Sequence, residues 1–346
     1  MDALSLKTLV KMQGISGREE YVRMYLYQYC VNKIGKENVH IDTMGNVIAF
    51  KKGTQPTAPT VMFVSHMDEV GLMVISATDD GLLCVRAIGG IDSRVLVSKR
   101  VTVGYGDNAL PGVIGATAIH QQTAEDRKRA LPIEQLYVDI GAKKKEEALN
   151  KAPAGTPITF DTQYTPFGNN LVVSRALDDR VGCYNNARLL DANNTADTYL
   201  VFSCQEEVGC RGAAGASFRI KPDVGIILES TAANDSGDIQ EAQKVCRVGQ
   251  GVAISFMDHA SIAQPTMYRD MMKLAKEKGI SHQTKMSVSG GNDGGVTQRS
   301  TIGVKTCVLS VPCRYIHSPS NVCSLSDVEA QYELAKAYIE QNWEDK

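Results

Sequence analysis

A chain of 346 residues that is 43% apolar and 22% charged is long enough to bury one large core or two ordinary ones. Its 37 basic and 39 acidic residues leave a formal net charge of −2, which gives no electrostatic reason to expect nucleic acid or an anionic membrane as partner. No apolar run approaches the ~20 residues that span a bilayer, and the opening MDALSLKTLVKMQ lacks the basic start and apolar core of a secretory leader, so a cytoplasmic protein is expected. The nine cysteines are odd in number and scattered, with no C-x-x-C pair, and read as reduced thiols, not as zinc ligands.

In chain order, Ser16-Gly17-Arg18-Glu19 has capping-box spacing and precedes a stripe of Val22, Tyr25, Leu26, Tyr29 and Cys30, which predicts a helix with Ser16 as its cap. Strand-like runs follow at 46–50 and 60–64, separated by the turn GTQPTAP, and the second ends at Ser65-His66-Met67-Asp68. From about Leu72 to Phe160 the chain is a series of short β-rich runs, with helical pattern confined to AEDRKRALP and KKKEEALNKA. After Asn170, DDRVGCYNNARLLDA reads as helix, TYLVFSC as buried strand, CRGAAGASF as a small-residue helix and VGIILES as another buried strand. Two more helices, QPTMYRDMMKLAKEKG and SLSDVEAQYELAKAYIEQ, bracket the strand KTCVLSV. Neither outer part alone has enough strands for a covered sheet, so residues 1–70 and 164–346 are expected to form one α/β domain, interrupted by a β-rich insert at 71–163.

Several familiar sites are missing from the sequence: there is no phosphate loop, no G-x-S-x-G elbow, no H-E-x-x-H helix and no complete G-x-G-x-x-G. Carboxylates and histidines stand instead at the ends of predicted buried strands: His66 and Asp68 after VMFV, Asp178 and Asp179 after LVVSRAL, Glu206 and Glu207 after YLVFSC, Glu229 after VGIIL, and His317 beyond KTCVLSVPCRYI. Ligands of open α/β sheets collect at such ends, and imidazole with carboxylate suits Zn²⁺ and related ions. A carboxylate can also bridge two ions roughly 3.5–4 Å apart. Each residue has a plainer reading: Asp178 as a helix N-cap, Glu229 as part of a strand-ending turn, and either histidine as an ordinary packed side chain. Taken together they point to a divalent metal site, because buried carboxylates without cations are costly.

The motifs S-H-M-D-E-V-G at 65–71, A-L-D-D-R at 176–180, Q-E-E-V-G-C-R-G at 205–212, G-G-N-D-G-G at 290–295 and R-Y-I-H-S at 314–318 resemble, in this order and over essentially the whole chain, the M42 family of metalloaminopeptidases. That family includes the tetrahedral TET and the glutamyl aminopeptidases, and some members carry frv-operon or endoglucanase labels. The resemblance implies a zinc-peptidase-like α/β catalytic domain, with a mixed sheet covered by helices, and a PDZ-like inserted domain through which subunits dimerise and build hollow dodecamers. It also implies two divalent ions per subunit, Zn or Co, bridged by Asp178. His66 and Glu229 would complete one ion, Glu207 and His317 the other. Glu206 would be the general base on water activated by the ions, and Asp68 would hydrogen-bond His66 and fix its ring. The substrates would be short peptides cleaved from the N-terminus.

Two departures stand out. Many relatives have Asp where this chain has Glu229, so either the strand must shift or the longer side chain must fold back; and Asn292 stands where Thr is common. Asp293 is expected to position neighbouring groups in a scaffolding loop, with a surface turn as its plainer reading. His120 reads as a loop histidine that could reach a neighbouring subunit's site, while His40, His259 and His282 lack any comparable context. The competing functions are a metal-dependent deacylase or carboxypeptidase on the same scaffold, a glycanase, and a catalytically silent assembly protein. The glycanase is disfavoured because glycoside hydrolysis needs two metal-free carboxylates.

Overall fold

The computed structural model describes residues 4–288 and 290–343. The chain opens with helices α1 (Leu6–Lys11) and α2 (Glu20–Ile34), then strands β1 (Val39–Ile41), β2 (Val47–Lys51) and β3 (Val61–His66). The predicted capping box does not form. Glu19 takes the cap position with no side-chain cap bond, because the Ser16 hydroxyl donates instead to the Asp68 carboxylate (2.6 Å), while the buried Glu19 carboxylate accepts from the N–H groups of Gly17 (2.7 Å) and Gln205 (3.1 Å). Tertiary partners have taken over a local motif.

The insert contains β4 (Gly71–Ala77), β5 (Leu83–Ile88), β6 (Arg100–Val103), β7 (Leu110–Gly115), β8 (Tyr137–Asp139), α3 (Lys145–Lys151) and β9 (Pro157–Phe160). These strands close into a barrel in the order β4-β5-β8-β7-β6-β9, around its own core of Leu72, Val74, Leu83, Val101, Ile114, Val138 and Ile158. KKKEEALNKA supplies α3 as expected. AEDRKRALP does not form an α-helix; only a single 3₁₀ turn occurs there.

The chain then returns to the first sheet through β10 (Thr165–Phe167), β11 (Leu171–Ser174), α4 (Leu177–Arg188), β12 (Thr198–Ser203), α5 (Arg211–Ile220) and β13 (Val224–Ala232). It finishes with β14 (Val252–Ser255), α6 (Pro265–Glu277), β15 (His282–Thr284), α7 (Asp293–Gln298), β16 (Lys305–Arg314), β17 (Asn321–Ser324) and α8 (Leu325–Ile339). Among the described residues this sheet has eleven strands, in the order β1-β2-β12-β3-β13-β16-β17-β11-β10, with β14 and β15 branching from β16. The centre, β12-β3-β13-β16, is parallel and the flanks are antiparallel. The central strands are apolar on both faces, as a parallel strand between two helix layers requires. Phe63, Phe202, Leu228 and Leu309 meet residues of α2, α4, α6 and α8, and their neighbours Val64, Val201, Ile227 and Val308 meet Ala213 and Ala216 of α5 and Val296 of α7.

One feature of the register opens the sheet. β3 pairs with β12 as far as Ser203↔His66, but with β13 only as far as Ile227↔Val64. Beyond that rung β3 and β13 part, and Asp179 at the start of α4 takes the place of the missing strand: its Oδ2 accepts from the His66 N–H (3.2 Å) and its Oδ1 from the Gly182 N–H (3.0 Å). The helix-capping carboxylate is therefore Asp179, and Asp178 is left free to face the crevice.

Arg180 follows at once and is fully buried. Its guanidinium donates to the carbonyls of Met67 (2.8 Å), Leu9 (2.6 Å) and Met12 (2.9 Å), tying the N-terminal segment to the loop behind His66. Arg180→Met should cost about 3–5 kcal/mol, because it orphans those carbonyls and removes a charge that faces buried Glu69 at 3.6 Å. Denaturant unfolding would measure this, and a change below 1 kcal/mol, taken as roughly the worth of a surface pair, would contradict it.

Candidate metal centre

The crevice beyond Val64 and Ile227 receives side chains from five directions. His66 ends β3, Asp178 precedes the regular part of α4, Glu206 and Glu207 lie in the turn after β12, Glu229 lies within β13, and His317 follows β16. Glu229 does not end its strand: β13 continues in regular register with β16 to Ala232↔Cys313. Since the register is unbroken, the extra methylene is absorbed by the side chain, whose Oε1 folds back to accept from the adjacent Ser230 N–H (3.2 Å).

The central arrangement is two-sided. His66 Nε2 lies 3.5 Å from Asp178 Oδ1 and 3.3 Å from Glu229 Oε1, whereas His317 Nε2 lies 3.3 Å from both Asp178 Oδ2 and Glu207 Oε2. Each oxygen of one carboxylate thus faces a different imidazole. Both rings are held from behind: His66 Nδ1 is 3.0 Å from the Asp68 carbonyl and His317 Nδ1 is 3.0 Å from the Gly90 carbonyl. A carbonyl can only accept, so each Nδ1 carries a proton, and once a ring is neutral its Nε2 presents a lone pair to the crevice.

Asp68 differs from expectation in how it acts. Its carboxylate oxygen stands 3.5 Å from His66 Nδ1, and the shorter contact to the ring, 3.0 Å, is made by its backbone carbonyl. The carboxylate is spent on the turn instead: Oδ1 accepts from the Glu206 N–H (3.0 Å) and Oδ2 from the Glu207 N–H (3.2 Å). This clamp fixes the backbone of the turn from which the two glutamates diverge. Glu207 Oε2 turns to His317, while Glu206 lies against Cys210, whose thiol donates to Oε1 (3.4 Å), with Oε2 3.9 Å from His66 Nε2.

The wall of the crevice uses unusual backbone. Ala176, Gln205, Cys210, Tyr315 and His317 all have left-handed φ values, a clustering of non-glycine residues that occurs where the surrounding structure over-determines a functional loop. Two of them, Cys210 and His317, line a cavity of about 490 Å³, which is lined also by Ser230, Thr231, Lys285 and Asn292.

The electrostatics are those of a site short of positive charge. Burial, reinforced by Asp178 and opposed by His317, pushes Glu207 up to about 8; burial, opposed by His66, pushes Glu229 up to about 7. Burial would depress His317, yet its contact with Asp178 and the charge of Glu207 carry it to about 9. Glu206 is also raised well above the usual carboxylate range, by burial first and by neighbouring carboxylates. Two buried oxygens, Asp178 Oδ1 and Glu207 Oε1, have no hydrogen-bond partner. His66, Asp178 and Glu207 place ligand atoms within 4.8 Å of one another, as do His66, Asp179 and Glu229.

The family model of the M42 glutamyl aminopeptidases matches residues 45–334. The chain belongs to that family. It is 35% identical over 345 residues to the lysyl aminopeptidase of Pyrococcus furiosus, covering 97% of this chain and 96% of that one. Among solved structures, it is similar to the aminopeptidase APDkam598 of the archaeon Desulfurococcus kamchatkensis, with a TM-score of 0.92, 33% identity and coverage of 97% and 94%. It is similar also to the TET1 peptidase of Pyrococcus horikoshii, with a TM-score of 0.84, 31% identity and coverage of 97% and 98%. This M42 protein is accordingly a peptide hydrolase with the aminopeptidase function of its relatives.

Sequence reasoning overlooked three residues of this M42 site. Asp179 was visible only as the second half of a doublet, and its bond to His66 depends on the parting of β3 and β13. Ser203 donates to Asp293 Oδ2 (2.6 Å), which fixes Asp293 as a fully buried group beneath the site and removes its reading as a surface turn. Cys210 was counted only as a thiol. Of the remaining histidines, His120 is exposed on the barrel insert, and neither it nor His40, His259 or His282 lines the cavity in this chain.

A pH prediction follows for the chelated M42 protein. Glu207 and Glu229 bind protons in the folded state up to about 8 and 7 where the unfolded chain releases them near 4.5, and His317 binds up to about 9 against 6.5. The native state therefore holds more protons across this window, so its stability falls as pH rises. Thermal unfolding in chelator should show a falling midpoint from pH 5 to pH 9 (roughly the window these groups define), and a midpoint that rises would contradict the reading. Added divalent cation should raise the midpoint most at the alkaline end.

Proposed function

We propose that this protein is a dinuclear, divalent-metal-dependent aminopeptidase that removes N-terminal residues from short peptides. The observation that carries the reading is Asp178, whose two oxygens face His66 and His317 separately. The donor set fits two cations: His66, Glu229 and Asp178 on one side, His317, Glu207 and Asp178 on the other, with the unpartnered Asp178 Oδ1 and Glu207 Oε1 supplying buried negative charge that asks for a counterion. This mix of imidazole and carboxylate suits Zn²⁺ or Co²⁺, with Glu229 in place of the commoner Asp bearing on which is preferred. When bound, such ions polarise a scissile carbonyl, lower the pKa of water and can receive a free α-amino group.

The chain's own residues supply the rest. Glu206 stands beside the ligand set without being needed to complete it, and as general base it takes the proton of the attacking water and returns it to the leaving amine. Asp68 holds the backbone of Glu206 and Glu207 so that base and ligand keep their separate directions. The backbone carbonyls behind His66 and His317 keep both rings in the tautomer that leaves Nε2 free.

The division into a catalytic domain, 1–70 with 164–346, and an insert, 71–163, is part of the proposal, supported by the separate core of the barrel. In this reading the insert, PDZ-like in role although closed as a barrel, joins copies of the chain. The Pyrococcus horikoshii TET1 relative can assemble into a tetrahedron or a large octahedral shell, and a homo-oligomer, in its fullest form a tetrahedral dodecamer, is proposed here. Nine free thiols fit a reducing cytoplasm, and no helix among the described residues is long and apolar enough to cross a membrane.

The test is removal and return of metal. Chelated protein should lose hydrolysis of aminoacyl arylamides and recover it with Zn²⁺ or Co²⁺, and N-acetylated substrates should be refused. Activity indifferent to chelator would overturn the metal mechanism, and turnover of blocked substrates would point to a deacylase.

A further inference from the structure

Beside the paired site lies a second group of donors that the proposed reaction leaves largely unused. Glu206, Cys210 and Asp293 place a carboxylate oxygen, a thiol sulfur and a second carboxylate oxygen within 4.8 Å of one another. The Cys210 Sγ to Glu206 Oε1 separation is already 3.4 Å. A tetrahedral ion with Zn–S of about 2.3 Å and Zn–O of about 2.1 Å needs its sulfur and oxygen roughly 3.6 Å apart, so this edge is at bonding geometry, and the Asp293 donor, within 4.8 Å of both, has to move inward to complete the set. Asp293 is 1% exposed; one of its oxygens accepts from Ser203 Oγ (2.6 Å), and the other, Oδ1, is buried with no partner. An orphaned, fully buried carboxylate oxygen in a group that already contains a thiol and a second carboxylate is what an unfilled cation position looks like.

The chemistry of this group differs from that of the paired site. His66, Asp178, Glu207, Glu229 and His317 offer only nitrogen and oxygen, whereas Cys210 adds sulfur, which favours borderline and soft ions such as Zn²⁺ and Cd²⁺ over Mg²⁺ or Mn²⁺. We propose that Glu206, Cys210 and Asp293 form a third cation site, selective for Zn²⁺ or Cd²⁺, whose occupation withdraws Glu206 from proton transfer and so inhibits the enzyme when such ions are in excess. On binding, the Cys210 thiol loses its proton to solvent and the thiolate and two carboxylates become ligands, with water free to fill the fourth position. The binding part stands on geometry alone; the inhibition rests on the proposed role of Glu206 as base.

The test separates the two. Enzyme already carrying its activating ions is titrated with Cd²⁺ while the ultraviolet thiolate-to-metal charge-transfer band and aminopeptidase activity are followed together. The paired site has no sulfur, so the band reports cysteine ligation only. Wild type should show the band rising in step with loss of activity. Cys210→Ser should lose the band, and the Cd²⁺ concentration that halves its own initial rate should rise about tenfold or more, at least the loss that a perturbed ligand shell causes. In wild type, mass-mapped alkylation of Cys210 should be slowed by Cd²⁺, a readout that needs no variant and distinguishes this thiol from partly exposed Cys84. Absence of the band in wild type, a band that survives in Cys210→Ser, or protection that maps to Cys84 and not to Cys210, overturns the site. A Cys210-dependent band without loss of activity upholds the site and overturns the role of Glu206 as base.

Discussion

Glu206→Gln is expected to keep its bound cations and lose turnover by about 10²–10⁴-fold, the usual contribution of a positioned general base. The amide keeps the shape and volume of the carboxylate, and the backbone N–H of residue 206 still reaches Asp68 Oδ1, so the turn and the neighbouring Glu207 should be undisturbed. What disappears is a basic oxygen beside the crevice, 3.9 Å from His66 Nε2. The expected pattern is a fall in kcat with KM nearly unchanged, because proton transfer belongs to the transition state and not to substrate binding. Metal content measured by atomic emission should equal that of wild type. A variant with full activity would remove Glu206 from the base role, and one that loses its metal would make it a ligand.

Asp178→Asn should have the opposite signature. One carboxylate faces both imidazoles, so its neutral isostere should weaken both proposed cation positions at once, and affinity for both ions is expected to fall by more than about 100-fold, beyond the effect of losing a supporting group. Activity should disappear with the metal and return only partly at high cation concentration. Glu229→Gln or Glu207→Gln should each weaken one side more than the other, since Glu229 lies with His66 and Glu207 with His317. Equal and complete retention of both ions in Asp178→Asn would contradict the shared role; loss of a single ion would make Asp178 a ligand of one side only.

Much of this arrangement was legible in the sequence because strand ends announce themselves. VMFV, YLVFSC and VGIIL are apolar on both faces, and the acidic or imidazole residues that follow such runs have few places to go except the carboxyl edge of a parallel sheet. The family motifs supplied the pairing of residues that spacing alone could not. What stayed hidden depends on contacts between distant parts of the chain. Ser16 and Glu19 carry a local helix-start signature, yet their side chains are taken by Asp68 and Gln205. Glu229 looked like the end of a strand because Ser230 and Thr231 are polar, but pairing with β16 carries the strand three residues further. Asp178 and Asp179 are the same residue type side by side, and only the point at which β3 leaves β13 assigns one to the crevice and the other to the backbone. Closure of the β-rich insert into a barrel was invisible for the same reason, since closure is a property of all six strands together.

The bond between Asp68 and the turn after β12 has a consequence for how this enzyme could change over generations. Two adjacent glutamates with different proposed duties hang from one carboxylate 138 and 139 residues earlier in the chain. A substitution at 206 or 207 edits one duty at a time, so descent can tune acid–base strength or ion affinity separately. A substitution at 68 shifts the origin from which both are measured. Drift at that position should be tolerated only alongside compensating change in the turn, making Asp68 a point where inheritance is constrained by architecture.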